Sequence, residues 1–300
     1  MIVVGAGIIG LSCAWRLSQK GRKVTVFDKG EAAREASWAA AGMLAPGGEF
    51  DSDSPAAQLA LRSLKLYPDF VRELEEESGL AIDFRQCGAL DLSPGEGTAE
   101  IGIRSTETAY RGRAARFYPD DALVDPRDVT RALLQACRKR GVGIREHEPV
   151  TRIAGDDSEG VLIAAGAWSS QLFPGLPESS PVRGHLVAWP LTPGRLGPIL
   201  RERHTYLMQR SSGLLVAGST TEHVGFDRGI DERAVAGIVT RARTLLPELP
   251  DEPPCLTWNG FRPAIAAEMP RIGRIAGTSV WTAYGHYRNG ILMAPETARM

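Results

Sequence analysis

The stretch Met1-Ile2-Val3-Val4-Gly5-Ala6-Gly7-Ile8-Ile9-Gly10, with Lys23-Val24-Thr25-Val26-Phe27-Asp28 a little further on, decides the fold. Met1 to Val4 is a short apolar run, Ile9 to Gly21 has helical periodicity, and Lys23 to Phe27 alternates as a strand does. Gly5, Gly7 and Gly10 make a GxGxxG turn between the first strand and the helix. Asp28 closes the second strand 18 residues after Gly10. This β-α-β opening, with the acidic residue at that distance, is the dinucleotide fingerprint. The glycines let backbone N–H groups come close to a pyrophosphate on the positive end of the helix, whose first turn holds Ile8 and Ile9. Asp28, followed by Lys29, accepts hydrogen bonds from ribose hydroxyls. FAD and NAD share the adenosine diphosphate half, so the fingerprint alone does not separate them.

Outward from this opening, the chain reads as alternating elements without an internal repeat. Gln58 to Ser78 carries Leu59, Leu61, Leu64, Leu66, Phe70 and Leu74 at helical intervals, giving a long amphipathic helix that Pro68 kinks or splits and Gly79 stops. Asp128 to Gly141 is a second helix with basic residues in its last turn, followed by a strand over Val142 to Glu146 and another over Val161 to Ala164. Pro181 to Pro190 and Tyr206 to Gly218 have a different character. Two apolar runs flank Ser211-Ser212-Gly213 in the second of these, which points to an antiparallel sheet inserted between parallel α/β pieces. The expected class is α/β, with a Rossmann-like dinucleotide-binding domain, which the resemblance given below makes FAD-binding, and an inserted α+β domain built on an antiparallel sheet, which it makes the substrate domain. The first would comprise residues 1–80, 124–182 and 257–300, the second 81–123 and 183–256.

Composition excludes several classes of function. The 300 residues are 43% hydrophobic, enough for a sizeable core, and a net charge of -1 without a basic stripe speaks against nucleic acid. No apolar run is long enough for an integral membrane segment and no cleaved leader is evident, so a cytoplasmic protein is expected. The four cysteines, Cys13, Cys87, Cys137 and Cys255, are far apart and without His partners, which suggests neither a disulfide framework nor a metal site. Oligomeric state is not legible, and a homo-oligomer is compatible with the sequence.

Four further segments resemble the glycine oxidases of the FAD-dependent D-amino-acid oxidase family. Ser37-Trp38-Ala39-Ala40-Ala41-Gly42-Met43-Leu44-Ala45-Pro46, preceded by Ala36, is similar to the segment that runs along the flavin, where larger side chains would collide with the ring. Val161-Leu162-Ile163-Ala164-Ala165-Gly166-Ala167-Trp168-Ser169 resembles the strand and glycine turn on the adenine side, and Val150 matches a position whose backbone contacts the adenine. Gly285-His286-Tyr287-Arg288-Asn289-Gly290-Ile291-Leu292-Met293-Ala294-Pro295 resembles the family's last motif. Physically it is a turn delivering a helix N-terminus, whose N–H groups stabilise negative charge on a reduced flavin.

The fourth segment, Trp258-Asn259-Gly260-Phe261-Arg262-Pro263, resembles the motif of the carboxylate-binding arginine. A guanidinium pairs with a carboxylate in two parallel bonds, fixing orientation as well as affinity. The resemblance makes Arg262 that residue, Arg288 the second arginine, Tyr206 the tyrosine that helps hold the carboxylate, and His204 a residue of the mouth. It implies non-covalent FAD, a small amino acid and oxygen as reactants, and service to thiamine thiazole synthesis. The runner-up is a D-amino-acid dehydrogenase passing electrons to a quinone; a flavoprotein kept only for binding or assembly is the third alternative. No Ser-His-Asp set, paired catalytic carboxylates or metal cluster stands in a consistent context, which suits hydride transfer. The sequence also departs from the family. Ala264 to Pro270 replaces a Gly-Thr-Pro-Asp-Gly type stretch, the connection from Val150 to Val161 is short, and the chain ends early in the last helix. Thr221 stands in place of an apolar pocket residue, which would make the pocket more polar, and Gly260 rather than a cysteine stands where a covalent flavin link would form.

Overall fold

The computed structural model describes every residue except 51, 94–101, 156–158 and 268. Glu268 after the arginine motif and part of the Val150 to Val161 connection therefore lie outside the described residues. In chain order the strands are β1 (Ile2–Val4), β2 (Thr25–Phe27), β3 (Met43–Leu44), β4 (Phe84–Arg85), β5 (Ala89–Asp91), β6 (Thr106–Tyr110), β7 (Arg113–Tyr118), β8 (Ala122–Val124), β9 (Gly143–Arg145), β10 (Val161–Ile163), β11 (Ser179–Pro190), β12 (Ile199–Glu202), β13 (Thr205–Gln209), β14 (Leu214–Gly218), β15 (Leu256–Ile265), β16 (Arg271–Arg274) and β17 (Val280–Tyr284). The helices are α1 (Ile8–Gln19), α2 (Ala36–Ala39), α3 (Pro55–Ser78), α4 (Pro126–Lys139), α5 (Glu232–Leu245) and α6 (Gly290–Arg299).

Two large sheets organise the chain. The six-stranded sheet has the order β16-β17-β10-β1-β2-β9, parallel throughout except for β16. This is the Rossmann-like half. Its helices α1, α3, α4 and α6 build the largest core cluster, around Trp15, Tyr67, Phe70 and Leu133. The eight-stranded sheet has the order β15-β11-β14-β13-β12-β5-β7-β6. It is antiparallel apart from one parallel pair, β5 with β12, which the sequence pattern did not signal. A short sheet of β3, β8 and β4 stitches the two halves together.

Several local readings change on folding. The long helix starts at Pro55, because Ser54 caps it by accepting from the N–H of Ala57 at 3.2 Å and Pro55 fits the first turn. It continues unbroken past Pro68 to Gly79, whose φ of 74° is the left-handed stop expected of glycine. The Ala-rich run is only a one-turn helix, α2, before it turns into β3. Helix α5, not apparent in the sequence, covers one face of the larger sheet with Ile238, Ala242 and Leu245 packed on Trp189, Leu207 and Leu215. Strand β15 is hydrogen-bonded along ten positions to β11 in that same sheet, although the sequence division put residues from 257 onward with the Rossmann-like half. We propose, on this pairing, that the substrate-side unit includes β15. No helix of the described residues is long and apolar enough to cross a membrane.

Candidate active site

A cavity of about 920 Å³ runs from the glycine turn to the larger sheet. At its first end the chain packs backbone on backbone. Gly5 has φ 106°, and a Cβ there would lie 2.4 Å from the carbonyl oxygen of Ala164. A Cβ on Gly10 would lie 1.9 Å from the carbonyl oxygen of Gly5, so Gly10 is what allows α1 to start against the turn. The free N-terminus of α1 is capped from outside: Ser37 Oγ accepts from the N–H of Ile8 at 2.9 Å. Asp28 Oδ2 accepts from Ala6 N–H at 2.8 Å and Oδ1 from Gly30 N–H at 3.0 Å. Burial pushes its carboxyl upward, opposed by these two bonds. Each oxygen keeps a lone pair for a ribose hydroxyl. Lys29 Nζ sits 3.2 Å from the ring centroid of Trp168, which stacks on Phe226 at 4.5 Å.

These features fit FAD: an elongated cleft, a helix N-terminus, a carboxylate beside it and a turn that tolerates no Cβ. Of the residues singled out in the sequence, Gly5, Gly7, Ile8, Ile9, Asp28, Lys29, Val150 and Gly166 line the first part of the cavity. Ala36, Ser37, Ala41, Gly42 and Met43 line its middle, and His286, Tyr287, Arg288, Asn289, Gly290 and Ile291 form a turn against it. Two do not line it. Gly10 acts one layer behind, as described, and Leu292 points into the core of the Rossmann-like half, 1% exposed. The ring of His286 is also turned away, its Nε2 3.0 Å from Thr297 Oγ1, and burial drives its pKa down to about 3. It is a neutral structural imidazole.

The far end is built on β11, β13, β14 and β15. Tyr206 on β13 pairs in register with Gly218 on β14, where a Cβ would lie 2.5 Å from the tyrosine oxygen. Arg262 on β15 reaches across β11 over Gly184, where a Cβ would lie 2.3 Å from its guanidinium. Gly260, on the same strand, makes room for Ala39 of α2. Arg262 is held by its wall: Nη1 donates to the carbonyl of Thr220 at 3.0 Å and Nη2 to Ser219 Oγ at 2.8 Å. Burial lowers its pKa, but an arginine stays charged. One hydrogen on each of these nitrogens is left for a ligand. Burial raises the Tyr206 pKa, opposed by the nearby Arg262 and a hydrogen bond with Ser219, so Tyr206 stays a phenol.

Arg288 pairs with Glu49 at 2.9 Å rather than pointing free into the cavity. His204 lies exposed at the rim beside Arg203, whereas Thr221 is exposed and outside the cavity wall. The larger polarity anticipated from Thr221 comes instead from Ser219. Cys255 lies off the cavity wall with its sulfur 3.3 Å from the carbonyl of Ala188, and all four cysteines are free. Sequence reasoning missed Ser219, Thr220 and Glu49, along with Gly184 and Gly218, since none belongs to a spaced motif; Trp168 and Gly260 stood within the quoted segments, but not in the roles they take here. Gly184 and Gly218 carried the only usable signal: a glycine inside an apolar strand marks a close approach.

The family described as FAD dependent oxidoreductase (DAO) matches residues 1–300. The Bifunctional protein ThiO/ThiG of Synechocystis sp. is 34% identical over 336 residues, covering 100% of this chain and 50% of that protein. This chain thus spans half the length of that relative. The glycine oxidase of Bacillus licheniformis is 31% identical over 334 residues, covering 100% of this chain and 90% of that enzyme. The crystal structure of glycine oxidase from Geobacillus kaustophilus superposes with a TM-score of 0.92 at 28% identity, covering 99% of this chain and 92% of that one. The β-α-β turn, the cleft behind it and the full-length match lead to one conclusion: this chain belongs to the DAO family of FAD dependent oxidoreductases.

Proposed function

We propose that the protein oxidises the amine of glycine or another small amino acid, sarcosine and small D-amino acids included, using non-covalent FAD and oxygen. The imino acid formed would hydrolyse to the 2-oxo acid and ammonia, or methylamine in the case of sarcosine, and oxygen would leave as hydrogen peroxide. The observation that carries this reading is Arg262, a guanidinium fixed to the wall of the FAD cleft with one hydrogen on each outer nitrogen still to give. Two parallel bonds to a carboxylate fix the substrate's rotation as well as its position, so the amine-bearing carbon is held at one place in the cleft. Tyr206 adds a hydroxyl from the opposite side of Gly218. Arg288, neutralised by Glu49, positions the turn ahead of α6 rather than acting as a second free cation. FAD, when bound, supplies the acceptor for the substrate's two electrons. The name of the Synechocystis relative supports a place in making the thiazole of thiamine.

The test is amine-dependent peroxide formation by the yellow holoenzyme, run in air and under anaerobic conditions, with glycine, sarcosine and D-alanine. In air peroxide should accumulate; without oxygen the yellow colour should bleach and no peroxide form. Bleaching followed by fast electron transfer to a quinone and slow transfer to oxygen would replace the oxidase with the dehydrogenase. Failure of every small amino acid to bleach the protein would overturn the reading altogether.

A further inference from the structure

We infer that Glu222 is a positioning residue which, from behind the cavity wall, holds Thr220 so that its carbonyl fixes the Arg262 guanidinium for a carboxylate. The inference rests on the amino-acid oxidation proposed above.

Side chains alternate along β11. Gly184 and Leu186 face the cavity, so Arg183 and His185 point to the other face of the sheet, where both are buried. Glu222, in the segment after β14, meets them there. Its main chain pairs with that of Arg183 in both directions, at 2.9 and 3.0 Å. None of these three residues lines the cavity. Thr220 reaches both faces: its carbonyl accepts from Arg262 Nη1 at 3.0 Å on the cavity side, while its hydroxyl donates to Glu222 behind the sheet.

The Glu222 carboxylate accepts four hydrogen bonds. Oε2 takes two from Arg183, Nε at 2.8 Å and Nη2 at 2.6 Å, and Oε1 takes the Thr220 hydroxyl and His185 Nδ1 at 2.9 Å. Burial pushes its pKa up, but the bonds from Thr220, Arg183 and His185 outweigh this and hold it below the usual range, so the group is an anion that only accepts. Every direction in the cluster is then fixed. The main-chain N–H of Asp231, ahead of α5, donates to His185 Nε2 at 3.2 Å, which leaves the imidazole hydrogen on Nδ1, toward Glu222. The Thr220 hydroxyl gives its one hydrogen to Glu222 and accepts from the main-chain N–H of His185 at 2.9 Å. Thr220 is thereby tied to β11 at its side chain and presents a carbonyl of set direction to Arg262. A glutamine cannot reproduce this. Its NH2 group, in place of Oε1, faces two donors; in place of Oε2, it faces the Arg183 fork.

Acetate is the probe for the carboxylate site, titrated against the holoenzyme by perturbation of the flavin absorbance. Glu222→Gln should weaken acetate about 3- to 10-fold and raise KM for the amino acid similarly, with FAD content within about twofold, as expected where one anchoring hydrogen bond is lost. An amine lacking a carboxylate, which gains nothing from Arg262, should be handled as by the parent. Thr220→Val, which removes the hydroxyl and keeps the carbonyl, should reproduce the loss, and Thr220→Ser should recover most of it. This pair carries the test if Glu222→Gln does not fold. Asp227→Asn, at the exposed far side of Arg183, should leave acetate within about twofold of the parent. Unchanged acetate affinity in Glu222→Gln, a Thr220→Ser no better than Thr220→Val, or an equal loss in Asp227→Asn would overturn the inference while leaving the oxidase intact. If the parent neither binds acetate nor oxidises an amino acid, the functional reading itself fails, and this inference with it.

Discussion

In the proposed function Arg262 holds the substrate carboxylate, and its surroundings favour an arginine for that task. Two of its hydrogens are already given to Thr220 and Ser219, so only a planar fork has enough donors left for a carboxylate. Arg262→Ala should keep FAD bound and lower kcat/KM for amino acids by about 30-fold or more, corresponding to roughly 2 to 5 kcal/mol for a carboxylate left without its partner. Arg262→Lys should recover only part of this, and an amine lacking a carboxylate should be equally poor with all three proteins. His286 supplies a different kind of prediction. Its folded pKa of about 3 lies below the ordinary 6.5, so on acidification the unfolded chain takes up a proton that the folded protein does not. Stability should therefore fall as the pH drops below 6.5, with His286 contributing about 2 kcal/mol between pH 7 and pH 5. His286→Gln, which keeps a donor for Thr297 but cannot titrate, should flatten that part of the loss in thermal melts.

At the scale of elements, the site depends on close approaches between strands and on a turn that crosses from one sheet to the other half. The turn between β13 and β14 sends Arg210 into the interior, where its guanidinium donates to the carbonyls of Ala41 and Val124 and lies 3.7 Å from Asp125. Ala41 is part of the cavity wall, so the larger sheet holds in place the segment that follows α2. Gly184 on β11 is the clearance under Arg262. Gly184→Ala places a methyl against the Arg262 guanidinium, which has to move. At about 1 to 3 kcal/mol for such overpacking, KM for the amino acid should rise about 5-fold or more while FAD content stays unchanged. Gly10→Ala should behave in the opposite way. Its Cβ meets backbone rather than a side chain, so α1 cannot start where it does and FAD retention, read by absorbance after gel filtration, should be lost.

The two large sheets of the molecule share a cleft that takes its walls from both. Residues from β1 and α1 at one end and from β13 and β15 at the other line a single cavity. A ligand spanning that cleft stabilises both halves at once and is absent from the unfolded chain. Adding FAD to the apoprotein at about 100 times its Kd should contribute about 2.7 kcal/mol, or about 4 °C in Tm for a chain of this size. Arg262→Ala should show the same increase and Gly10→Ala should not. A Tm independent of FAD would mean that the cleft is not where the cofactor binds.

By itself the sequence determined the dinucleotide half, because that half is built from contiguous elements with short-range rules. The β-α-β opening needs only Gly5, Gly7, Gly10 and Asp28 at fixed spacing, and α3 and α4 show their apolar faces within their own residues. The resemblance to a known family supplied Arg262, Tyr206 and the His286 to Ile291 turn, which local pattern could not distinguish from a solvated arginine, a core tyrosine and a surface loop. Only the tertiary structure decided how these are held. Ser219 and Thr220 become ligands of Arg262 because β14 and β15 lie on either side of β11, an adjacency set by strand pairings such as Leu186 with Gly218 and Val182 with Arg262. Gly184 and Gly218 matter for what crosses above them, Glu49 for the cation that the turn ahead of α6 brings to it, and Ser37 for the helix end it caps from 29 residues away. Each depends on long-range packing of strands and helices, and local periodicity carries no record of which distant segment arrives.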